Sequence, residues 1–457
     1  MGTFGSKLLT FLMVRFYTGI LTPEDYGTAD LIMQTANLLF PVISLGITNG
    51  VFRFALEKTE DRKSVFSAGC YTVTAGGLLL AAAIALLPVR GVFDEYAELI
   101  VCYTIASCYH SLCAQFIRAE GKIRLFAWQG ILNTAMVIGL NILFLAVFRL
   151  GITGYVLSVV LADGLCSLYL FGRERLWKML TLHPETRLFN RMLRYSIPLI
   201  PTTIFWWITS VSDRYMIAAF LGREDTGIYA VAYKIPTLLT LLSGIFLEAW
   251  QFSAVAEAKG DRNAHIHFYS RIWSSFQSVM FLAGSVVIAF SRIEIRLLST
   301  EAYEEAWQYV PMLSAAMIFS AFASFMGSVY MVEKKSGLSF WTSMVGGVSN
   351  IVLNFLLIPA FGTQGAALAT LISYLLSFGI RAVSGRRLLP FRLYTGRLIG
   401  NTLILALQVL AMTANLPMCY PLQIGCLLLL LMLNKQSIYG TIVKMKDLRK
   451  EKGANKK

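Results

Sequence analysis

Residues 17–54 read YTGILTPEDYGTADLIMQTANLLFPVISLGITNGVFRF. One apolar segment ends near Leu21, a short acidic turn follows at Pro23-Glu24-Asp25-Tyr26-Gly27, and a second apolar segment runs on to Phe54. The hairpin is written twice. LGREDTGIYAVAYKIPTLL begins at Leu221, and Leu21, Glu24, Asp25 and Gly27 match Leu221, Glu224, Asp225 and Gly227 at a constant offset of 200. The same offset pairs Glu57, Asp61 and Arg62 with Glu257, Asp261 and Arg262. Farther along, Glu120 pairs with Glu333, Asn141 with Asn354, and Gly151-Ile152-Thr153-Gly154 with Gly362-Thr363-Gln364-Gly365. The repeat therefore spans much of the chain.

Composition sets the surroundings of that repeat. Only 14% of the 457 residues are charged, 56% are hydrophobic, and the mean hydropathy is +0.63. Soluble domains carry about 25% charged residues. Apolar runs of about 20 residues, enough to cross a bilayer, recur from one end to the other, and the longest polar stretch, Arg173 to Arg194, is too short for a folded domain. An all-α integral membrane protein follows, because a helix satisfies its own backbone in lipid. About fourteen spans are expected, at roughly 2–21, 26–54, 64–88, 96–117, 125–148, 152–172, 193–221, 227–255, 268–291, 306–331, 338–361, 363–385, 396–414 and 417–433. Thirty of the forty Lys and Arg residues then fall in alternate loops, in the span ends beside them, or in the tail, against five in the opposite loops. By the positive-inside rule both termini are cytoplasmic.

Six spans repeating as six keep one orientation, so the two lobes are expected to be related by a pseudo-twofold along the membrane normal, with substrate bound between them near the midplane. The division reads 1–172 for the N-lobe, 173–192 for a cytoplasmic inter-lobe linker, 193–388 for the C-lobe, and 389–457 for two extra C-terminal helices with a basic tail. The first apolar segment starts at residue 2 without an A-x-A-like exit, so no cleavable leader is expected. It is also shorter than its copy, which begins near Leu193. The net charge of +14 sits where a membrane face wants it, which argues against nucleic acid. Cys102, Cys108 and Cys113 flank His110 at spacings that do not share one helical face, so they read as small core residues rather than metal ligands.

Ionisable groups inside the spans carry the functional reading, since each costs about 2.5–3.5 kcal/mol at bilayer depth and normally faces a partner or a cavity. The cations are Lys7, Arg15, Arg53, Arg214 and Lys234, all on the repeated hairpin or its copy. Asp30, Asp213 and Glu248 are the acids there, and Asp163 stands apart on the sixth span. Asp30, Gln34, Asn37, Pro41, Ser44 and Thr48 step by three or four residues and make one helical face. Arg15, Arg53, Arg214 and Lys234 are the candidates for binding an anionic headgroup. Asp30, Gln34, Asn37, Asp163, Asp213 and Glu248 are candidates for ion coupling or for lining a polar cavity. Arg15 and Arg53 also lie within reach of the headgroups by snorkelling, Lys7 doubles as a surface anchor, and Asp163 fits a buried helix–helix hydrogen bond equally well. Five cations against three acids favour an anionic or amphiphilic guest such as a phosphate-bearing headgroup.

The runs FGSKLLTFLMVRFYTGILTPEDYGTADLI and SLGITNGVFRFA, together with VGGVSNIVLNFLLIPAFGTQGAALATLISY, resemble the polysaccharide-biosynthesis flippases of the multidrug/oligosaccharidyl-lipid/polysaccharide exporter superfamily. The resemblance implies a flippase moving an undecaprenyl-diphosphate-linked oligosaccharide across the bacterial inner membrane by alternating access. It further implies a proton or sodium gradient as driving force, no organic cofactor, and cavity charges at Arg15, Arg53, Arg214 and Lys234. Glycan polymerase or export machinery are the partners it suggests, and lipopolysaccharide, capsule or exopolysaccharide the products. A lipid II or sporulation-type precursor flippase is the nearest alternative. A multidrug antiporter should have an acidic cavity instead. A membrane enzyme should carry a large external loop with carboxylates or histidines, and the loops here are short with none of the four His in an external one.

Overall fold

The computed structural model describes residues 9, 11–57, 60–86, 95–182, 184–257, 261–333, 335–414 and 419–454. They form α1 (Val14–Thr18), α2 (Pro23–Ile43), α3 (Ile47–Leu56), α4 (Arg62–Leu86), α5 (Ala97–Ala119), α6 (Ile123–Asn141), α7 (Gly151–Arg173), α8 (Thr186–Ser196) and α9 (Ile200–Phe220). Then come α10 (Arg223–Lys234), α11 (Thr237–Glu257), α12 (Arg262–Leu298), α13 (Val310–Val332), α14 (Ser336–Phe361), α15 (Thr363–Leu388), α16 (Thr395–Thr413) and α17 (Cys419–Ala454). No strand occurs among the described residues. Nine helices there are long and apolar enough to cross a membrane, and the bent pairs α2–α3 and α10–α11 raise this to eleven. With α9, α17 and the described part of the first span, each of the fourteen expected spans has a helical counterpart.

The chain packs as two compact units, residues 1–230 with 298–302, and 231–297 with 303–457. The core of the first is built on Val51, Val65, Phe66, Leu112 and Leu188, all fully buried, with the Phe66 and Phe116 rings 4.8 Å apart. The second is centred on α13, where Phe322 and Phe325 pack on Trp273 at 5.0 and 5.1 Å and Trp250 stacks on Phe325 at 4.7 Å. Outward-facing Leu79, Phe355 and Leu403 are more than half exposed, as residues facing lipid should be.

Local signals explain the element ends. Thr22 accepts the Asp25 amide at 3.2 Å, Pro23 takes the first helical position, and Glu24 and Asp25 sit in the first turn of α2. The acidic turn is therefore a helix start, where negative charge meets the positive end of the helix dipole. Asp61 and Asp261, paired by the repeat, both cap helices: Asp61 accepts the Ser64 amide at 3.0 Å to start α4, and Asp261 accepts the Ala264 amide at 3.0 Å to start α12. Gly151 and Gly362, a second repeat pair, both adopt positive φ, 55° and 59°.

Two expected spans are corrected. The single helix 26–54 is broken: α2 ends at Ile43, Leu45 and Gly46 take φ of 47° and 62°, and α3 leaves at 55°. The backbone is also closely packed at this break, where a Cβ on Gly46 would lie 3.1 Å from the Ser196 carbonyl oxygen. Thr48 thus belongs to a different helix from Asp30. The expected span 193–221 is split by Pro198 into α8 and α9. Helix α8 is amphipathic; Leu188 and Met192 are fully buried, whereas Arg187, Arg191 and Arg194 are exposed. Arg191 forks onto Glu60 at 2.8 and 2.9 Å.

The cap on α4 carries a pH signature. The Ser64 hydroxyl, then the Ser64 and Lys63 amides and the Lys63 charge, hold the Asp61 carboxyl below its usual range. A depressed folded-state value means that its contribution is present above the ordinary carboxylate range near pH 4 and fades as pH falls through the folded value. Asp61→Ala is expected to cost about 1 kcal/mol at pH 7, and the gap to wild type in thermal melts should close towards pH 3. An unchanged melt at pH 7 would remove the cap from the stability argument.

Candidate functional site

Helices α2 and α9 face each other along a polar seam inside the first compact unit. Arg214 Nη1 donates to Asp30 Oδ2 at 2.8 Å, and each residue is only 6% exposed. One helical turn away the Tyr215 hydroxyl meets Thr35 Oγ1 at 2.7 Å and donates to the Leu31 carbonyl at 3.3 Å. Asp213 is fully buried; it accepts the Tyr229 hydroxyl at 2.6 Å and the Arg214 amide at 2.9 Å. Arg214 lies two turns in from the end of α9, and Asp30 two turns in from the start of α2. Both charges are thus taken out of water within helical, apolar surroundings. Such a pair survives desolvation only because each partner is matched, and it fails sharply when one is removed.

The repeat contributes unequally to this seam. At the offset of 200, Asp30 corresponds to Ala230, Arg214 to Val14 and Tyr229 to Ala29. The first copy supplies the acid and the second supplies the base. What the two copies share is the backbone. A Cβ on Gly27 would lie 2.2 Å from the Arg223 carbonyl oxygen, and one on Gly227 would lie 1.8 Å from that of Pro23. The matched glycines therefore touch main chain to main chain, one turn before Asp30. The helix start is more than a connector.

Arg15 donates to the Ser299 carbonyl at 2.5 Å, beside a Thr300-to-Thr18 bond of 2.7 Å. Arg53 lies near the end of α3, 3.9 Å from Glu57 and 4.9 Å from the Tyr195 ring, with more than half of its side chain exposed. Gln34 is half-buried and Asn37 exposed. In the second unit Lys234 ends α10, half-buried, with its carbonyl taken by Thr237 Oγ1. The Glu248 side chain and Lys7 lie outside the described residues. Asp163 sits in a separate cluster, with Ser107 at 2.5 Å, Asn133 at 2.7 Å and His110 at 3.0 Å. So the seam gathers Asp30, Asp213 and Arg214, while Arg53 and Asp163 make other contacts. An open groove of about 510 Å³ lined by Lys122, Arg124, Arg173 and Glu174 carries none of them.

Sequence reading passed over Thr35, Tyr215, Tyr229, Ser107 and Asn133, and named His110 without Asp163 as its partner. For Tyr229 the repeat gave no signal, because its neighbours 228 and 230 differ between the copies as well. Arg381, counted above among the loop cations, is instead on α15; it donates to Thr342 Oγ1 and Ser343 Oγ of α14 and to the Ala323 carbonyl of α13, at 2.9–3.0 Å. No acid pairs with it among the described residues.

A family model described as polysaccharide biosynthesis protein matches residues 1–255, a stretch that holds the whole seam. The chain belongs to that family. Two relatives are similar in sequence. An uncharacterized membrane protein of Methanocaldococcus jannaschii is 25% identical over 393 residues, 80% of this chain and 91% of the relative. A probable low-salt glycan biosynthesis flippase of Haloferax volcanii is 24% identical over 194 residues, 42% of this chain and 41% of the relative. In fold the chain resembles a lipid II flippase in its inward closed conformation, with a TM-score of 0.70 at 15% identity over 97% of this chain and 98% of the other. It also resembles an inward-facing multidrug resistance transporter of the MOP superfamily, at a TM-score of 0.63 and 13% identity over 84% and 95% of the two chains. This member of the polysaccharide biosynthesis family is thus a multi-pass membrane protein with the flippase and multidrug-transporter fold.

Proposed function

We propose that the chain is a flippase for a polyprenyl-diphosphate-linked oligosaccharide, undecaprenyl in a bacterial host, carried across the cytoplasmic membrane by alternating access. Membership of a polysaccharide-biosynthesis family and the likeness to a glycan flippase support the class of cargo. The observation that carries the reading at residue level is the buried Asp30–Arg214 pair. A diphosphate and a carboxylate compete for the same guanidinium face, and both suit its bidentate geometry. Exchange of Asp30 for a phosphate oxygen keeps Arg214 neutralised, and Asp30 takes up a proton as it is released, so that neither group is left as an unmatched charge. Release of the headgroup returns Arg214 to Asp30 and resets the seam. Arg15, Arg53 and Lys234 are proposed to guide the same headgroup, and a proton or sodium gradient to supply the drive.

Depleting the protein tests the cargo. Lipid-linked oligosaccharide should build up on the cytoplasmic leaflet, measured by its resistance to an externally added glycosidase in intact spheroplasts. Accumulation of lipid II instead would transfer the reading to a peptidoglycan-precursor flippase, and accumulation of neither would overturn it.

A further inference from the structure

Within the first unit, His110 of α5, Gln129 and Asn133 of α6, and Ser107 and Asp163 of α5 and α7 form a second polar cluster. His110 and Asp163 each lie roughly 13–20 Å from either end of their helices, at 1.5 Å per residue. Nothing in the Arg214 seam uses them. Asp163 Oδ1 receives Asn133 Nδ2 at 2.7 Å and lies 3.0 Å from His110 Nδ1, while Oδ2 receives the Ser107 hydroxyl at 2.5 Å. Three donors converge on one carboxyl, which suits its ionised form. On the other side of the ring, His110 Nε2 is 2.7 Å from Gln129 Oε1.

Donor and acceptor chemistry makes this arrangement two-state. Nδ1 meets the carboxylate as an N–H donor. When Nε2 faces the amide oxygen it carries a proton too, and the ring is an imidazolium. If the Gln129 amide turns over, its NH₂ donates to a bare Nε2 and the ring is neutral. The amide's oxygen and nitrogen fill the same space, so both protonation states are fully hydrogen-bonded without moving a helix.

Resting on the flippase reading, we propose that His110, clamped between Asp163 and Gln129, is the proton-binding site that couples transport to a proton gradient. One proton from water adds to Nε2 and makes a neutral imidazolium–carboxylate pair. Its return to water leaves one net negative charge on Asp163 inside the membrane, with the Gln129 amide reversed. That change in charge between α5 and α7 is what drives the rearrangement. The His110 and Asp163 side chains keep 18% and 11% exposure.

The surroundings leave His110 as the counter-charge. Tyr103 on α5 and Cys166 on α7 face the pair as buried, weakly acidic groups, and α6 offers the amides of Gln129 and Asn133. Among the other helices packed on α5 and α7, α2 commits Asp30 to Arg214, and α4 turns Thr74 to the Tyr109 hydroxyl at 2.6 Å. Arg53 of α3 and Arg62 of α4 are engaged with Glu57 and Glu120 at helix ends. No Lys or Arg forms an ion pair with Asp163 among the described residues.

Full-length protein with ¹⁵N-labelled histidine, reconstituted in nanodiscs, reads the site directly. His110→Gln assigns its signal among the four histidines. At pH 7.5 both ring nitrogens of His110 should be protonated, and Asp163→Asn should remove one of those protons. A ring that carries a single proton in both proteins overturns the site. Should His110→Gln fail to fold, Gln129→Leu keeps the ion pair and removes the acceptor; a ring still doubly protonated in it overturns the amide switch. The coupling is read from surface glycan restored to a depleted strain at pH 6 and pH 8. His110→Gln is expected to cut export about tenfold and to flatten its pH dependence, and export equal to wild type at both values overturns the coupling. If wild-type protein restores no glycan, the flippase reading fails alone and the histidine spectrum still decides the proton site.

Discussion

Arg214→Ala is expected to reduce surface-glycan export to below about a tenth of wild type while the protein still inserts in the membrane. Removing one partner of a buried ion pair costs about 3–5 kcal/mol, because the other charge is left unmatched. Here that charge is Asp30, 6% exposed, so some loss of stability will accompany the loss of function. The swapped pair, Asp30→Arg with Arg214→Asp, separates the two effects. It keeps one charge of each sign in the seam, so its melting temperature in detergent should recover most of the deficit. Export should stay lost, because the guanidinium now projects from α2 rather than from α9. Export restored by the swap would make the pair a structural tie and sink the proposed capture of phosphate at Arg214. Arg296→Ala is the control: its link to Glu304 is a largely exposed pair, worth at most about 1 kcal/mol.

Gly227→Ala is the second large effect, and it needs only a methyl group. The new carbon would lie 1.8 Å from the Pro23 carbonyl oxygen, and both sides of the contact are main chain, so no rotamer change relieves it. Overpacking usually costs about 1–3 kcal/mol, and with backbone on both sides the upper end is expected. Gly27→Ala, at 2.2 Å from the Arg223 carbonyl, should behave in the same way. Gly379→Ala on α15 meets open space and gains helix propensity of about 0.8–1 kcal/mol, so it should melt at or above wild type. Tryptophan-fluorescence melts of the three variants decide the matter. A Gly227→Ala protein that melts with wild type would mean that the two helix starts do not touch in the native state.

Much of the fold was legible along the chain. Spans, caps and turns are local: a run of apolar residues needs only lipid, and Asp61 and Asp261 need only the amides three residues on. The repeat was legible because it is a comparison of the chain with itself, and it singled out Gly27 and Gly227. The candidate charges were legible too, since Asp30, Asp163 and the neighbouring Asp213 and Arg214 interrupt apolar stretches. Helix breaks were read less well. Pro198 stands in the sequence, but the packing of the Leu45-Gly46 break against Ser196 joins positions about 150 residues apart.

By itself the sequence determined a many-span helical membrane protein built on a duplicated hairpin, with a short set of buried ionisable residues. The tertiary structure alone decided which of those residues meet. Asp30 and Arg214 are 184 positions apart, and nothing in either stretch specifies which helical face turns toward the other. Hydropathy marks a residue as inside or outside the membrane, but choosing a partner requires the packing of two helices. The same holds for His110, set among cysteines in the sequence, which packing places between Asp163 and Gln129. Burial is written in each segment; pairing is a property of the assembled bundle.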